Sequence, residues 1–190
     1  DTISITSLNL TPSETSITAK INSTPSAYKY YYSLDEDVWY ESSLDEYTIN
    51  DLKPNTNYTV YVKAEDSSGE VVKYSATTKT TDTTKPKLKI ERGNFVLDEE
   101  DTVNHINYEY YKSLYFDVTA TDNDQVNSVK YCVSSSECTS NTNLTLTENK
   151  SSIQMPNASG GQVLCVTATD KVGNEIKKCE EISYPDEEDE

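Results

Sequence analysis

A stretch of alternating residues at positions 52–69, LKPNTNYTVYVKAEDSSG, constrains the fold more than any other part of the sequence. Pro and Asn near its start favour a tight bend, and the closing DSSG favours a second one. Between the bends apolar and polar residues alternate, which predicts a β-strand with one buried face. The residues on the predicted buried face are Tyr58, Val60, Val62 and Ala64.

The same pattern returns at residues 162–174, QVLCVTATDKVGN. Asp66 and Asp170 occupy equivalent places after the two strands, and each is expected to cap its turn. One strand and turn used twice in 190 residues predicts two similar β-domains in tandem, each of the size of a small sandwich. We place these domains at residues 1–82 and 83–185, with residues 186–190 as an acidic tail.

Short alternating runs separated by turn residues fill the rest of both halves, as is typical of a β-sandwich. In the run 27–33, Tyr28, Tyr30 and Tyr32 share one face. In the second half a strand is expected at residues 88–90, an irregular segment at 94–112, and a further strand that includes Leu144 and Leu146.

The motif L-x-P-x-x-x-Y-x-V-x-V-x-A, which runs from Leu52 to Ala64, resembles the region around the sixth strand of a fibronectin type III domain. The resemblance covers residues 3–80 and implies a seven-stranded sandwich, in which the hydroxyl of Tyr58 bonds back to the preceding turn. The family usually has a core tryptophan on its second strand, whereas Trp39 lies later here. Tyrosines 28–32 are therefore expected to fill the core instead.

The second half resembles the Ig-like modules of Firmicutes surface proteins through the segments FDVTATD and VTATDKVGN. The junction at residues 80–86, TTDTTKP, resembles the spacers between sandwich modules of bacterial surface proteins. We therefore expect an all-β chain of two tandem antiparallel β-sandwiches, fibronectin type III-like and then Ig-like.

The four cysteines, which all lie in the second half, are expected to form disulfides. Strand parity turns Cys132 and Cys165 outward, which disfavours a bridge through the core. A hairpin about Val172 sets Cys165 opposite Cys179, and Cys132 with Cys138 would close a small loop. The alternative joins Cys132 to Cys165 and Cys138 to Cys179.

Charge and composition limit the partners. A net charge of −17, with both halves acidic, excludes nucleic acid as an expected ligand. The sequence contains no run of about 20 apolar residues, so no membrane span is predicted. Acidic side chains are expected mainly to solvate the surface and cap turns. A secondary expectation is a calcium site, because calcium binds several carboxylate oxygens. Its candidate ligands are Asp98, Asp101, Asp122 and Asp124.

The aromatic residues allow two interpretations. In the first, half of the tyrosines fill the core and half cover the sheet. In the second, Tyr31, Trp39 and Tyr40 form a platform for sugar rings. No catalytic residues are predicted, since the chain has one histidine, His105, and lacks the common hydrolase and phosphate-loop motifs. No resident cofactor is expected apart from the calcium alternative.

These features favour a non-enzymatic extracellular module of a bacterial surface or secreted protein, serving as a spacer, a stalk or an adhesion segment. Its expected partners are the other modules of the same polypeptide. The alternative is an accessory module of a larger secreted enzyme or adhesin that binds a carbohydrate or a host protein.

Overall fold

The fold was obtained as a computed structural model, which describes residues 2–97, 111–156 and 162–182. All regular elements in these ranges are β-strands. The described ranges contain no helix long and apolar enough to cross a membrane. The chain divides into two compact units, Asp1–Thr83 and Thr84–Glu190. Each unit is built from two antiparallel sheets, so the expected pair of all-β sandwiches is confirmed.

The first unit has seven strands, which form a three-stranded sheet of order β1-β2-β5 and a four-stranded sheet of order β4-β3-β6-β7. The strands are β1 (Ser4–Pro12), β2 (Ile17–Thr24), β3 (Lys29–Ser33), β4 (Tyr40–Ser42), β5 (Glu46–Ile49), β6 (Asn57–Glu65) and β7 (Val71–Lys79).

Strand β6 is the centre of this unit because it pairs with β3 on one side and β7 on the other. Val60, Val62 and Ala64 are fully buried, as the alternating pattern predicts. Tyr58, on the same face, is partly buried and packs against this core. Burying one such Val side chain stabilises a fold by about 1.5–3 kcal/mol. The facing sheet contributes Ile17, Ala19 and Ile21, which are also fully buried.

The turn before β6 is held by two side chains. The backbone N–H of Lys53 donates to the hydroxyl oxygen of Tyr58 at 2.9 Å, which confirms the predicted bond from this tyrosine back to the turn. The buried hydroxyl of Thr80 donates to the carbonyl of Lys53 at 2.6 Å and accepts from the N–H of Thr56 at 2.9 Å. Asn55 has a φ of 49°, a left-handed conformation that Asn tolerates. The chain therefore enters β6 in one register.

The tyrosine run fills the core only in part. Tyr30 and Tyr32 are buried, and the hydroxyl of Tyr32 donates to the carbonyl of Leu44 at 3.0 Å. Burial raises the pKa of Tyr32 far above its ordinary value. Tyr28 was expected on the same inward face but is 64% exposed. Strand β3 begins only at Lys29, so Tyr28 lies beyond the end of the sheet.

The second unit repeats this strand order, with sheets β8-β9-β12 and β11-β10-β13-β14 in its described part. The strands are β8 (Lys87–Leu97), β9 (Tyr111–Thr121), β10 (Val126–Ser134), β11 (Thr142–Asn143), β12 (Lys150–Pro156), β13 (Gln162–Asp170) and β14 (Glu175–Ile182). Leu164, Val166 and Ala168 of β13 are fully buried, which matches the burial of the central strand of the first unit.

Two local expectations for the second unit were wrong. Strand β8 was expected only at residues 88–90, before an irregular segment at 94–112, but it continues to Leu97. A shift in its register with β9 between Arg92 and Phe95 accommodates the extra residues, as in a β-bulge. Leu144 and Leu146 lie beyond the short strand β11, which ends at Asn143, and their side chains pack against the core. The N–H of Leu144 donates to the carbonyl of Val129 in β10 at 2.8 Å, but neither leucine is part of a strand.

Two aspartates close the hairpins that follow the central strands, as the sequence predicts. Asp66 Oδ1 accepts from the N–H groups of Ser68 and Glu70 at 2.8 and 3.0 Å. Asp170 is 1% exposed, and its Oδ1 accepts from three successive N–H groups at 2.7–2.9 Å, those of residues 172, 173 and 174. Gly69 and Gly173 supply the positive φ that these turns require.

The corner tyrosine can be tested by replacing Tyr58 with Phe. The free energy of unfolding of the first unit should fall by about 1 kcal/mol, because the N–H of Lys53 loses its acceptor. Trp39 is the single tryptophan and lies in this unit, so its fluorescence during denaturant unfolding reports the change. Tyr74→Phe is the matched control, since Tyr74 is 46% exposed on β7. Equal losses for the two variants would contradict the role of Tyr58.

The Asp170 turn can be tested with Asp170→Asn, which should destabilise the second unit by about 1–2 kcal/mol because three N–H groups lose a charged acceptor. Hydrogen exchange of peptides from Gln162–Asp170 measures the loss. The control Asp66→Asn alters the equivalent turn of the first unit and should leave exchange in those peptides unchanged.

The same turn predicts the sign of an acid dependence. Burial acts to raise the pKa of Asp170, but the hydrogen bonds from Asn174, Gly173 and Val172 outweigh burial and lower the pKa. The stabilisation is therefore complete above the unfolded pKa of about 3.9 and is lost as the pH falls through the lower folded pKa. Asp170→Asn should be less sensitive to pH across this window than the wild type, and greater sensitivity would contradict the assignment.

Candidate functional site

The outer face of the four-stranded sheet in the first unit, which points away from the core, contains Tyr31 and Trp39, two of the three residues of the predicted sugar platform. The register places Glu41, Tyr31, Lys63 and Lys73 side by side across β4, β3, β6 and β7. We call these four residues, together with Trp39, the outer-face cluster. The cluster brings an aromatic pair and several charges together on one surface.

Trp39 is held by two contacts within the chain. Its indole N–H donates to the carbonyl of Glu36 at 2.8 Å. The ammonium nitrogen of Lys63 lies 3.8 Å from the centroid of its ring, which is close enough for a cation–π interaction worth about 0.5–1 kcal/mol at an exposed site. One face of the indole ring is therefore covered by a lysine of the same unit.

Other polar side chains of the outer face are paired in a similar way. The hydroxyl of Tyr31 donates to Oε2 of Glu65 at 2.7 Å, and this hydrogen bond is the main reason that the pKa of Tyr31 is raised. Lys29 and Glu41 form an ion pair at 2.9 Å, which raises the pKa of Lys29. The outer face thus satisfies many of its polar groups internally.

Tyr40 lies apart from the two other residues of the predicted platform. It pairs in register with Tyr32, whose side chain points into the core, and its ring stacks on that of Tyr47 with a centroid distance of 5.5 Å. Tyr47 in turn stacks on Tyr32 at 5.2 Å. The structure therefore brings Tyr31 and Trp39 onto one face and turns Tyr40 toward the other. The approach of Lys63 to Trp39 was not foreseen, because strand parity indicates a face but not a neighbour.

The four cysteines form two disulfides, which join Cys132 to Cys138 and Cys165 to Cys179. Their Cα atoms are 5.9 and 4.1 Å apart, respectively. This is the first of the two pairings expected from the sequence. The alternative, Cys132 with Cys165 and Cys138 with Cys179, is not the one present. Cys165 nevertheless pairs in register with both Cys132 and Cys179, so three cysteines cross the sheet in one line. We call Cys132, Cys165 and Cys179 the cysteine row.

The candidate calcium ligands lie only partly in the described ranges. Asp98 and Asp101, and the lone His105, fall outside them. Oδ2 of Asp122 accepts from the N–H groups of Asp124 and Gln125 at 3.0 and 3.1 Å, so this oxygen caps a turn. Oδ1 of Asp122 is buried without a hydrogen bond among the described residues. Asp122 and Asp124 also line an open groove of about 790 Å³. The calcium site stays a prediction.

Comparisons with known proteins bear on the fold. No protein-family model matches the chain, and no curated protein matches it. Among solved structures, a two-domain fibronectin type III segment of chicken tenascin has 13% identity and a TM-score of 0.51, over 94% of this chain and 99% of that one. This likeness shows that the chain shares the fold of tandem fibronectin type III domains.

Two further solved structures are less similar. Chitinase ChiA74 from Bacillus thuringiensis has 17% identity and a TM-score of 0.36, over 92% of this chain and 28% of that one. A structure of carbohydrate-binding modules from the β-sandwich superfamily, described as promiscuous in specificity, has 11% identity and a TM-score of 0.38, over 93% of this chain and 95% of that one.

Proposed function

We propose that this chain is a non-enzymatic extracellular module that acts as a spacer, stalk or adhesion segment in a bacterial surface or secreted protein of the Firmicutes type. The observation that carries the proposal is the internal pairing on the outer face, where Lys63 covers Trp39, Glu65 binds Tyr31 and Glu41 binds Lys29. A surface whose polar groups are already bonded within the chain suits a module that holds other domains apart.

Two further observations support this proposal. Disulfides are typical of oxidising, extracellular compartments, and both disulfides here lie in one sandwich. Asp66 and Asp170 accept hydrogen bonds from backbone N–H groups of the turns after the central strands, and these bonds restrict the motion of both hairpins. Partners of a spacer would be the neighbouring modules of the same polypeptide.

The second candidate is an accessory module that binds a glycan or a host protein. The specific observation in its favour is that Trp39 and Tyr31 both lie beside Lys63 on one outward face, where aromatic rings can stack on sugar rings. In this case Lys63 would have to move off the indole ring before a sugar could take its place.

Single-molecule stretching of the full chain tests the stalk role. We expect two unfolding events with resolved force peaks, one for each sandwich. The disulfides span sequence separations of 6 and 14 residues, so reduction should lengthen the chain released by the second unit by about 60 Å. The double variant Cys165→Ser, Cys179→Ser should show most of this increase without reductant. A unit that extends without a force peak would contradict a stalk.

A glycan array distinguishes the second candidate. A spacer is expected to bind no glycan. If the array shows binding, Trp39→Ala should abolish it, Lys63→Ala should strengthen it by exposing the ring, and Tyr40→Ala should leave it unchanged because Tyr40 faces the other side of its strand. Binding that survives Trp39→Ala would exclude the outer-face cluster as the site.

A further inference from the structure

The cysteine row places three sulfurs on the same face of neighbouring strands. Cys165 of β13 pairs in register with Cys132 of β10 on one side and with Cys179 of β14 on the other. Leu164 and Val166, which flank Cys165, are fully buried in the core. Because side chains alternate along a strand, the three cysteines project from the opposite, outer face.

The backbone hydrogen-bond pattern predicts different Cα separations for the Cys165–Cys179 and Cys132–Cys165 pairs. Cys165 and Cys179 have a Cα separation of 4.1 Å, which is typical of a pair without mutual backbone hydrogen bonds. The N–H and C=O groups of Cys165 then point toward β10. Cys132 and Cys165 are therefore a hydrogen-bonded pair, for which the Cα separation is about 5.5 Å. Ordinary disulfides span Cα separations of about 4.4–6.8 Å, so a Cys132–Cys165 bond fits the existing strands.

Accessibility determines which sulfur of the Cys132–Cys138 disulfide a thiol from solvent can reach. Cys138 is partly exposed in the loop after β10, whereas its partner Cys132 is only 7% exposed. Cys179 is exposed on β14, which lies at the edge of the sheet. A thiol arriving from solvent therefore meets Sγ of Cys138 before that of Cys132, and the sulfur at the far end of the row faces solvent again.

We propose that the four cysteines form a thiol–disulfide relay that accepts a low-molecular-weight thiol at Cys138 and exposes a new thiol at Cys179. The thiolate of the incoming molecule attacks Sγ of Cys138 and forms a mixed disulfide, and Cys132 leaves as a thiolate. Cys132 then attacks Sγ of Cys165, and the Cys165–Cys179 bond breaks as the Cys132–Cys165 bond forms. Cys179 leaves as a thiolate and takes up a proton.

The exchange balances without an oxidant or a reductant. Two disulfides and one external thiol become two disulfides and one protein thiol. The straight row suits the second step, because an attacking sulfur approaches along the extension of the bond that breaks. The outcome is a module with a mixed disulfide at Cys138 that presents the thiol of Cys179 on an edge strand. There a disulfide-bearing molecule can be attached by a further exchange, in which the other half of that molecule leaves as a thiol.

The variant Cys138→Ser tests the second step, because it leaves Cys132 as a permanent thiol beside Cys165. The full chain is held at about pH 8, near the ordinary pKa of a thiol, then quenched in acid, alkylated and mapped by mass spectrometry without reduction. We expect the alkyl label to shift from Cys132 to Cys179, together with a peptide pair joined through Cys132 and Cys165. Label confined to Cys132, with the Cys165–Cys179 bond intact, would overturn the relay.

The matched control is Cys132→Ser, which leaves Cys138 as the free thiol in the loop. Its label should stay on Cys138 with the Cys165–Cys179 bond intact, and label on Cys179 in this variant would show that exchange does not pass through Cys132.

The wild-type chain treated with glutathione provides a test that needs no variant. The expected products are a glutathione adduct on Cys138 and an alkylated Cys179, whereas an adduct on Cys138 with an alkylated Cys132 would overturn the proposal.

Discussion

Burial of one face of the central strand is the constraint on which each sandwich depends. Strands β6 and β13 pair on both sides, so their backbone groups are satisfied, and their apolar side chains reach the core at every second residue. A slip of one residue in β6 would turn Lys63 toward the core and expose Val62. The positions of the neighbouring strands, and of everything on the outer faces, follow from this register.

In both sandwiches, many polar side chains find their bonding partners within the same unit. Asp170 is buried and acidic, yet hydrogen bonds from its own hairpin keep its pKa low. On the outer face of the first unit, Lys63 lies over Trp39, and Glu65 binds the hydroxyl of Tyr31. Such internal pairing favours a module that separates other domains, and any ligand for this face would have to compete with contacts that already exist.

The positions of the cysteine side chains follow from the alternation of inward and outward side chains that also forms the core. Because Leu164 and Val166 point inward, the residue between them points outward, and register then sets Cys132 and Cys179 on either side of Cys165. The closer neighbour, Cys179, takes the disulfide. Cys132 and Cys165, the more widely spaced pair, are still close enough for a disulfide. This spacing is the basis of the proposed exchange.

The sequence by itself determined the all-β class, the central strands and the aspartate-capped hairpins, because these depend on the two-residue period and on turn residues close in sequence. The bond of Tyr58 to its turn was implied by the resemblance to fibronectin type III domains. Tertiary structure decided which side chains from different strands become neighbours. Lys63 meets Trp39, Tyr40 stacks on Tyr47, and β8 continues past Gly93 because pairing between strands, which no local pattern encodes, sets those contacts.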